Sequence, residues 1–378
     1  MNLFDVYPLY PITPVKALDC IITDDKGIEY LDLYSGHGVI SIGHTQPDYV
    51  AKIKEQLDNI SFYSNAIQNP LQVELAEKLG KLSGYADYSL FMCSSGAEAN
   101  ENALKMASFH TNKSRVVSFH NAFHGRTSAA VATTDNKKII APINAQQIVT
   151  FLPLNEIDLV ETELKKGDVA CVIIEPIQGV GGLDQGTTEF FQALAKVCKA
   201  NDVVLILDEV QSGFGRSGKF FAHQYHDIKP DIICMAKGMG NGFPIGGILI
   251  APSFEASYGL LGTTFGGSHL ACAASIAVLD IIESQRLMDN VKTVEAYFME
   301  AIKIIPEIVK VKGRGLMLGV EFDFDVSALR KKMIVEKHIF TGGSSNKNLI
   351  RILPPLTITT DAIDTFIVAL QESLAELK

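Results

Sequence analysis

Between about residues 85 and 252, short apolar runs alternate with amphipathic segments, and no other feature restricts the fold of this chain as much. Repeated strand–helix–strand units of that kind build a largely parallel sheet covered by helices. The expected strands are Ser89–Met92, Arg115–Phe119, Ala170–Ile174, Val203–Leu207, Asp231–Met235 and Gly247–Ala251. Several are apolar throughout, as strands buried on both faces are. Thr188–Lys199 carries Phe190, Phe191, Leu194, Ala195 and Val197 at helical spacing, with Thr187 or Thr188 as N-cap. Beyond residue 268 the pattern changes to long helices, a strand over Gly315–Phe322, a helix near Val326–Lys337, an extended Leu349–Leu353 and a closing helix from about Asp361. The expected architecture is therefore α/β. A large domain over residues 50–268 is joined by a smaller α+β domain made from residues 1–49 and 269–378, to which Cys20–Thr23 and Glu29–Leu33 add strands.

A net charge of -10 argues against a phosphate-backbone partner, because such binding depends on clustered lysine and arginine. The basic runs Lys165-Lys166 and Arg330-Lys331-Lys332 are short and read as solvated helix faces. The six cysteines show no CxxC pair or histidine-rich neighbour, so no metal site is expected. They sit mostly in apolar runs and read as buried thiols of a reducing compartment. Residues 1–14 lack a basic start and an apolar h-region, and no stretch is apolar for the roughly 20 residues a bilayer span needs. A cytoplasmic location is expected.

Open α/β sheets bind ligands beyond the carboxyl ends of their strands, so the residues after each apolar run matter most. After Ser89–Met92 come Ser94, Ser95, Gly96, Ala97 and Glu98. Small residues at a strand-to-helix turn leave backbone N–H groups free to hold a phosphate, although Ser95-x-x-Glu98 also reads as a plain capping box. After Val203–Leu207 comes Asp208, an acid that is costly at the end of a buried strand unless a cation meets it. A protonated ring nitrogen would suit, each unit of pKa shift being worth about 1.4 kcal/mol. After Asp231–Met235 comes Lys237, followed by Gly238, Gly240 and Gly242, with no evident solvent face. Desolvation favours the neutral amine that Schiff-base chemistry requires. Gly213-x-Gly215-x-x-Gly218 matches a dinucleotide fingerprint, but Asp208–Ser212 separates it from its strand and no clear helix follows, so a nicotinamide-dependent dehydrogenase is disfavoured.

Read together, these residues resemble the class III aminotransferases of the fold-type-I pyridoxal-phosphate (PLP) enzymes, and within them the acetylornithine (or succinylornithine) branch. The likeness runs from Pro14-Val15 and Asp32-Leu33 through Gly43-His44 to Arg351–Leu356. It is most specific at Ser95–Glu101, Phe123–Thr127, Glu175–Gly179, Asp208–Gln211 and Lys237-Gly238. The resemblance implies pyridoxal 5'-phosphate as cofactor, bound covalently to Lys237, which would also shuttle the substrate proton. Asp208 would hold the ring nitrogen protonated, so that the ring acts as an electron sink. Ser95, Gly96 and Ala97 would cradle the phosphate, Phe123 would stack on the ring, and Gln211 would lie near its phenolic oxygen. Thr264 would reach the phosphate from a partner subunit, making the active unit a homodimer, with Thr263 beside the substrate. Arg126 would clamp the substrate α-carboxylate and Arg351 the carboxylate of 2-oxoglutarate or glutamate, a task suited to a planar guanidinium. The implied reaction passes the δ-amino group of an N2-acylornithine to 2-oxoglutarate, within arginine biosynthesis.

Two departures stand out. Relatives commonly carry Glu after the EPxQG run, where it can mask the second arginine; this chain has Val180. Arg351 is therefore expected to stay available, which would favour a substrate with an extra carboxylate such as N2-succinylornithine. Ser268-His269 replaces the usual Asn-Pro, and His269 is given no role. The nearest rivals are ornithine, 4-aminobutyrate and diaminopimelate-type aminotransferases and a glutamate-semialdehyde aminomutase; a PLP-binding regulator would need a further module that is not visible.

Overall fold

The chain opens with an antiparallel ribbon of β1 (Pro14–Leu18), β2 (Ile21–Asp24) and β3 (Glu29–Asp32), one irregular turn α1 (Ser35–Gly38), and helices α2 (Pro47–Asn59) and α3 (Pro70–Ser83). This computed structural model describes residues 1–377. Both helices start where the sequence supplies a cap and a proline. Gln46 and Asn69 side chains accept from Tyr49 and Leu71 N–H, Pro47 and Pro70 follow, and Gly84 closes α3 in the left-handed conformation.

The central sheet contains β4 (Ser89–Cys93), β5 (Arg115–Phe119), β6 (Val149–Leu152), β7 (Val169–Ile174), β8 (Val204–Asp208), β9 (Ile232–Met235) and β10 (Gly246–Ile250), in the order β4-β10-β9-β8-β7-β5-β6. All point the same way except β10, which is antiparallel to both neighbours. The helices between them are α4 (Gly96–Thr111), α5 (Ser128–Ala132), α6 (Ile157–Leu164) and α7 (Thr188–Ala200). One face of the sheet packs Val117, Val172, Leu205 and Leu207 against Phe190, Phe191 and Leu194 of α7, and the other packs Cys171, Ile173 and Ile206 with Ala99, Ala103 and Ala107 of α4. β7 is buried at every position, which explains its unbroken apolar run.

After the sheet come α8 (His269–Ser284), α9 (Leu287–Ala301), β11 (Ile308–Arg314), β12 (Met317–Phe322), α10 (Ser327–Val335), β13 (Ile339–Phe340), β14 (Leu349–Ile352) and α11 (Thr360–Leu377). β13 pairs in parallel with β3, so the N-terminal ribbon and the C-terminal region share a sheet, while β11-β12-β14 form an antiparallel one. α8 packs on α2 and α3.

Several details differ from the sequence expectations, which did not supply β1, β11 or β13. β6 is an additional strand at the sheet edge. Gly315 is not in a strand but in the turn of the β11–β12 hairpin, where it sits at φ 61 with Arg216 and Ser217 backbone close against it. Arg330 is no solvated residue: it is half-buried and donates to Thr341 O, whereas the neighbouring Lys332 pairs with Glu336 and Glu376. All six cysteines are free and buried, as expected. No helix among the described residues is long and apolar enough to cross a membrane.

Candidate active site

The carboxyl ends of β4, β5, β7, β8 and β9 converge on one cavity of about 400 Å3, lined by Ser95, Gly96, Ala97, Phe123, Arg126, Asp208, Gln211 and Lys237. Strand direction alone makes that convergence, since five co-directional strands deliver their following residues to the same edge.

At the β4–α4 turn, Ser95 Oγ accepts from Glu98 N–H at 3.2 Å, and Glu98 reaches back to Ser94 N–H at 2.6 Å. The Ser95 cap is therefore real, although Glu98 reaches the amide before the N-cap rather than that of Ser95, and the amides of Gly96 and Ala97 stay without a partner among the described residues at a helix N-terminus on the cavity wall. A side chain at position 96 would run into Val210, 2.6 Å from its Cβ. Cap and anion cradle coexist.

Asp208 is buried and fully engaged. Its Oδ2 accepts from Asn100 Nδ2 and His124 Nδ1, each at 2.7 Å, and its Oδ1 from Val210 N–H at 3.0 Å. Asn100 Nδ2 also donates to His124 O at 2.7 Å, so helix α4 and the loop after β5 fix the carboxylate jointly. Three donors on one carboxylate fix its orientation at the cavity wall.

Lys237 follows β9 at φ 45, a strained backbone for a residue with a Cβ. Its amine makes no hydrogen bond or ion pair among the described residues and borders the cavity. Burial holds its pKa below the ordinary lysine value, against the opposing fields of Asp208 and Glu175. The arrangement is that of a nucleophilic amine. Close approach requires the glycine at 240, whose Cβ would stand 2.1 Å from Phe243 O.

Phe123 lies on the wall with Arg126 over its ring at 5.7 Å, and Arg126 is exposed and makes no ion pair among the described residues. Glu175, at the end of β7, accepts from Phe123 N–H at 2.9 Å and Gly179 N–H at 2.8 Å. Burial pushes its pKa up to about 7, with the charge of Asp208 adding to the rise and His124 opposing it. Gln211 donates to His37 O at 2.8 Å and packs against Gly179 so tightly that a Cβ there would be 2.0 Å from its Oε1.

Arg351 lies behind that wall on β14 rather than on it. The buried guanidinium donates to Gly343 O, Gly179 O (2.8 Å), Gln211 Oε1 (3.5 Å) and Tyr34 Oη (2.8 Å), with no carboxylate partner among the described residues. Val180 lines the cavity beside it. Thr264 is exposed and Thr263 half-buried, and within this chain neither reaches the cavity. Ser268 caps α8 through Ala271 N–H at 3.3 Å, and His269 is simply its first helical residue. The Gly213–Gly218 segment forms consecutive turns with positive φ at Phe214, Gly215 and Gly218 and opens no α-helix, so it builds no dinucleotide turn.

Sequence reasoning left Asn100, His124, Glu175, Tyr34 and His37 without a role. The first three stood inside the motif strings already singled out; Tyr34 and His37 carried no signal, since Arg351 and Gln211, which tie them to the site, are far away in the chain.

Free amides at a helix N-terminus, a buried carboxylate, an aromatic wall and an amine unpaired among the described residues fit pyridoxal phosphate, and together with the doubly covered sheet they define a PLP-dependent transaminase. The chain belongs to the class-III aminotransferase family, whose model matches residues 6–374. It is 39% identical to the acetylornithine aminotransferase of Aquifex aeolicus (strain VF5), over 98% of this chain and 99% of that protein. It is 36% identical to the acetylornithine aminotransferase of Bacillus subtilis (strain 168), over 99% and 98%. Among solved structures it resembles the ornithine aminotransferase of Toxoplasma gondii ME49 with a TM-score of 0.91 and 25% identity, covering 98% of this chain and 92% of that one. An S-selective transaminase from Arthrobacter sp. shares the fold at TM-score 0.91 and 23% identity, covering 100% and 96%.

Proposed function

We propose that this enzyme transfers the δ-amino group of an N2-acyl-L-ornithine to 2-oxoglutarate, giving the N-acyl-glutamate 5-semialdehyde and glutamate in the cytoplasmic synthesis of arginine. The observation that carries the reading is Arg351, a buried cation offered only neutral oxygens, which suits a dicarboxylate acceptor. Near-full-length likeness to acetylornithine aminotransferases supports the donor.

When bound, pyridoxal phosphate supplies an electron sink for the carbanion left as the donor loses its proton. In this reading Lys237 anchors the cofactor and carries that proton, while Asp208, fixed by Asn100 and His124, faces the ring nitrogen. Ser95, Gly96 and Ala97 hold the phosphate, Phe123 covers one ring face and Gln211 attends the ring oxygen. Arg126 takes the substrate α-carboxylate. Thr264 of the partner subunit adds to the phosphate site and Thr263 to the substrate site, in a homodimer. Residues 50–268 form the cofactor-binding domain, and residues 1–49 with 269–378 the smaller one.

A specific observation favours the succinyl over the acetyl substrate: Val180 stands on the cavity wall, and no carboxylate of the described residues pairs with Arg351. Comparing kcat/KM for the two acylornithines tests this, and a preference for the acetyl form removes it. Adding amino donors one at a time to the yellow enzyme tests the reading as a whole. Only an N2-acylornithine should bleach the cofactor band efficiently, and bleaching by free ornithine or 4-aminobutyrate instead would replace the assignment.

A further inference from the structure

We propose that His37 is a specificity-determining residue for the acceptor: through Tyr34 it completes the Arg351 carboxylate clamp and couples dicarboxylate binding to uptake of a proton. The inference rests on the dicarboxylate reading of Arg351.

The turn that presents His37 is unusual. Ser35, Gly36, His37 and Gly38 all have positive φ, of 51, 53, 72 and 74 degrees, and two of them carry a Cβ. Such backbone persists only where the surroundings dictate it. Asp32 Oδ1 accepts from Tyr34 and Ser35 N–H at 2.9 and 2.7 Å, and the His37 carbonyl is held by Gln211, itself on the cavity wall. The consequence is that His37 Nδ1 stands 2.6 Å from Tyr34 Oη, which receives Arg351 Nη2 at 2.8 Å.

The protons in this chain can be counted. A phenol has one proton and two lone pairs. With Arg351 donating into the oxygen, the phenol proton points to Nδ1 while the ring is neutral, leaving Nε2–H as a donor at the rim. When His37 takes a proton from solvent, Nδ1–H donates to the phenol oxygen, which then accepts twice. Its own proton is released and can turn toward an anion lying on Arg351. Proton and second carboxylate therefore arrive together.

Charge supports the same coupling. His37 is exposed on one side, yet partial burial and then the fields of Arg351, Lys237 and Arg126 hold its pKa below the ordinary value. Arg330 acts on the same cluster through Tyr34 and Arg351, and no carboxylate of the described residues pairs with either arginine. A bound carboxylate would offset these positive fields and raise the affinity of His37 for a proton. A monocarboxylate held elsewhere in the cavity would not.

The test is titration calorimetry of glutarate into the cofactor-loaded enzyme near pH 6.5, about where a histidine is poised, in two buffers of different ionisation heat. The wild-type enzyme should take up a fraction of a proton per glutarate bound. His37→Asn tolerates the left-handed backbone and keeps a donor; it should bind within about threefold at alkaline pH but take up no proton. His37→Phe should bind about tenfold more weakly, as expected for one lost hydrogen bond to a charged group. Unchanged proton uptake in His37→Asn overturns the inference. Glutarate affinity unaltered in Arg351→Ala would instead overturn the dicarboxylate reading beneath it.

Discussion

At the residue scale, Asp208, the carboxylate proposed to face the cofactor, depends on two side chains outside the chemistry. Asn100 and His124 both donate to the same oxygen of Asp208, and each retains a buried atom without a partner, Asn100 Oδ1 and His124 Nε2. Asp208 therefore orients both side chains, with the His124 carbonyl as the second acceptor of Asn100 Nδ2. Replacing Asn100 with Ala should weaken pyridoxal-phosphate binding by about tenfold, the loss of a hydrogen bond to a charged group. Titrating the cofactor-free protein by absorbance measures this, and unchanged affinity would assign Asn100 to the helix only. Glu175 gives a pH prediction. Because its native pKa is raised to about 7, chiefly by burial, the folded chain keeps a proton that the unfolded chain releases. The contribution of Glu175 is therefore complete below the ordinary glutamate pKa of about 4.3 and is lost as pH rises through about 7. Glu175→Gln mimics the protonated form, so the urea midpoint of the cofactor-free variant should fall less than wild type across that window. An equal fall would place the titration elsewhere.

At the scale of elements, Arg115 ties the edge of the central sheet together. From the start of β5 its guanidinium forks onto Asp168, just before β7, and also reaches Glu163 at the end of α6 and Thr150 on β6. Both acids are held below the usual carboxylate range, first by Arg115 for Asp168 and by Lys166 then Arg115 for Glu163. Arg115→Met keeps the buried stem but removes five donors, and should cost about 2 kcal/mol in urea unfolding at neutral pH. Since depressed carboxylates stabilise only above their unfolded pKa, the gap between variant and wild type should shrink as pH falls toward 3 or so. A gap independent of pH would point to packing. This same edge marks where the sequence ran short. The strands with unbroken apolar runs, such as Val169–Ile174, were legible because a sheet covered on both faces leaves no other pattern. β6 is four residues of which only Leu152 is buried, and its pairing to β5 is a tertiary fact. The reversed direction of β10 was equally silent, since a strand reads the same both ways. Of the site, Lys237, Asp208 and the Ser95 turn were legible because each interrupts an apolar run. Arg351 was named only through the family resemblance, and the groups that hold it carried no local signal, as they come from Tyr34, Gly179, Gln211 and Gly343, spread over most of the chain.

At the scale of the whole molecule, the proposed homodimer needs an exposed apolar face near Thr264. Phe62, Tyr63, Ile67, Tyr258 and Phe265 are all exposed, and Phe62 and Phe265 pack together at 5.5 Å. Surface this apolar is uncommon on a chain that works alone. The segment carrying Thr264 is held firmly at its base, Asn65 donating to Thr263 O and Gly266 O at 3.2 Å each and Gln72 to Gly267 O at 2.8 Å, so Thr264 is presented outward on a rigid support. In the proposed homodimer that support would deliver the hydroxyl to the neighbouring phosphate cradle. Phe265→Asp should put an unpaired charge into the interface and yield monomers in sedimentation velocity. Those monomers should lose the cofactor on gel filtration although Lys237 and Asp208 are untouched. Thr264→Val should remain dimeric while holding pyridoxal phosphate several-fold less tightly, about what one hydrogen bond to a charged group contributes. A Phe265→Asp monomer that keeps its cofactor as well as the wild-type protein would mean that a single chain completes the site, and Thr264 would then have no part in it.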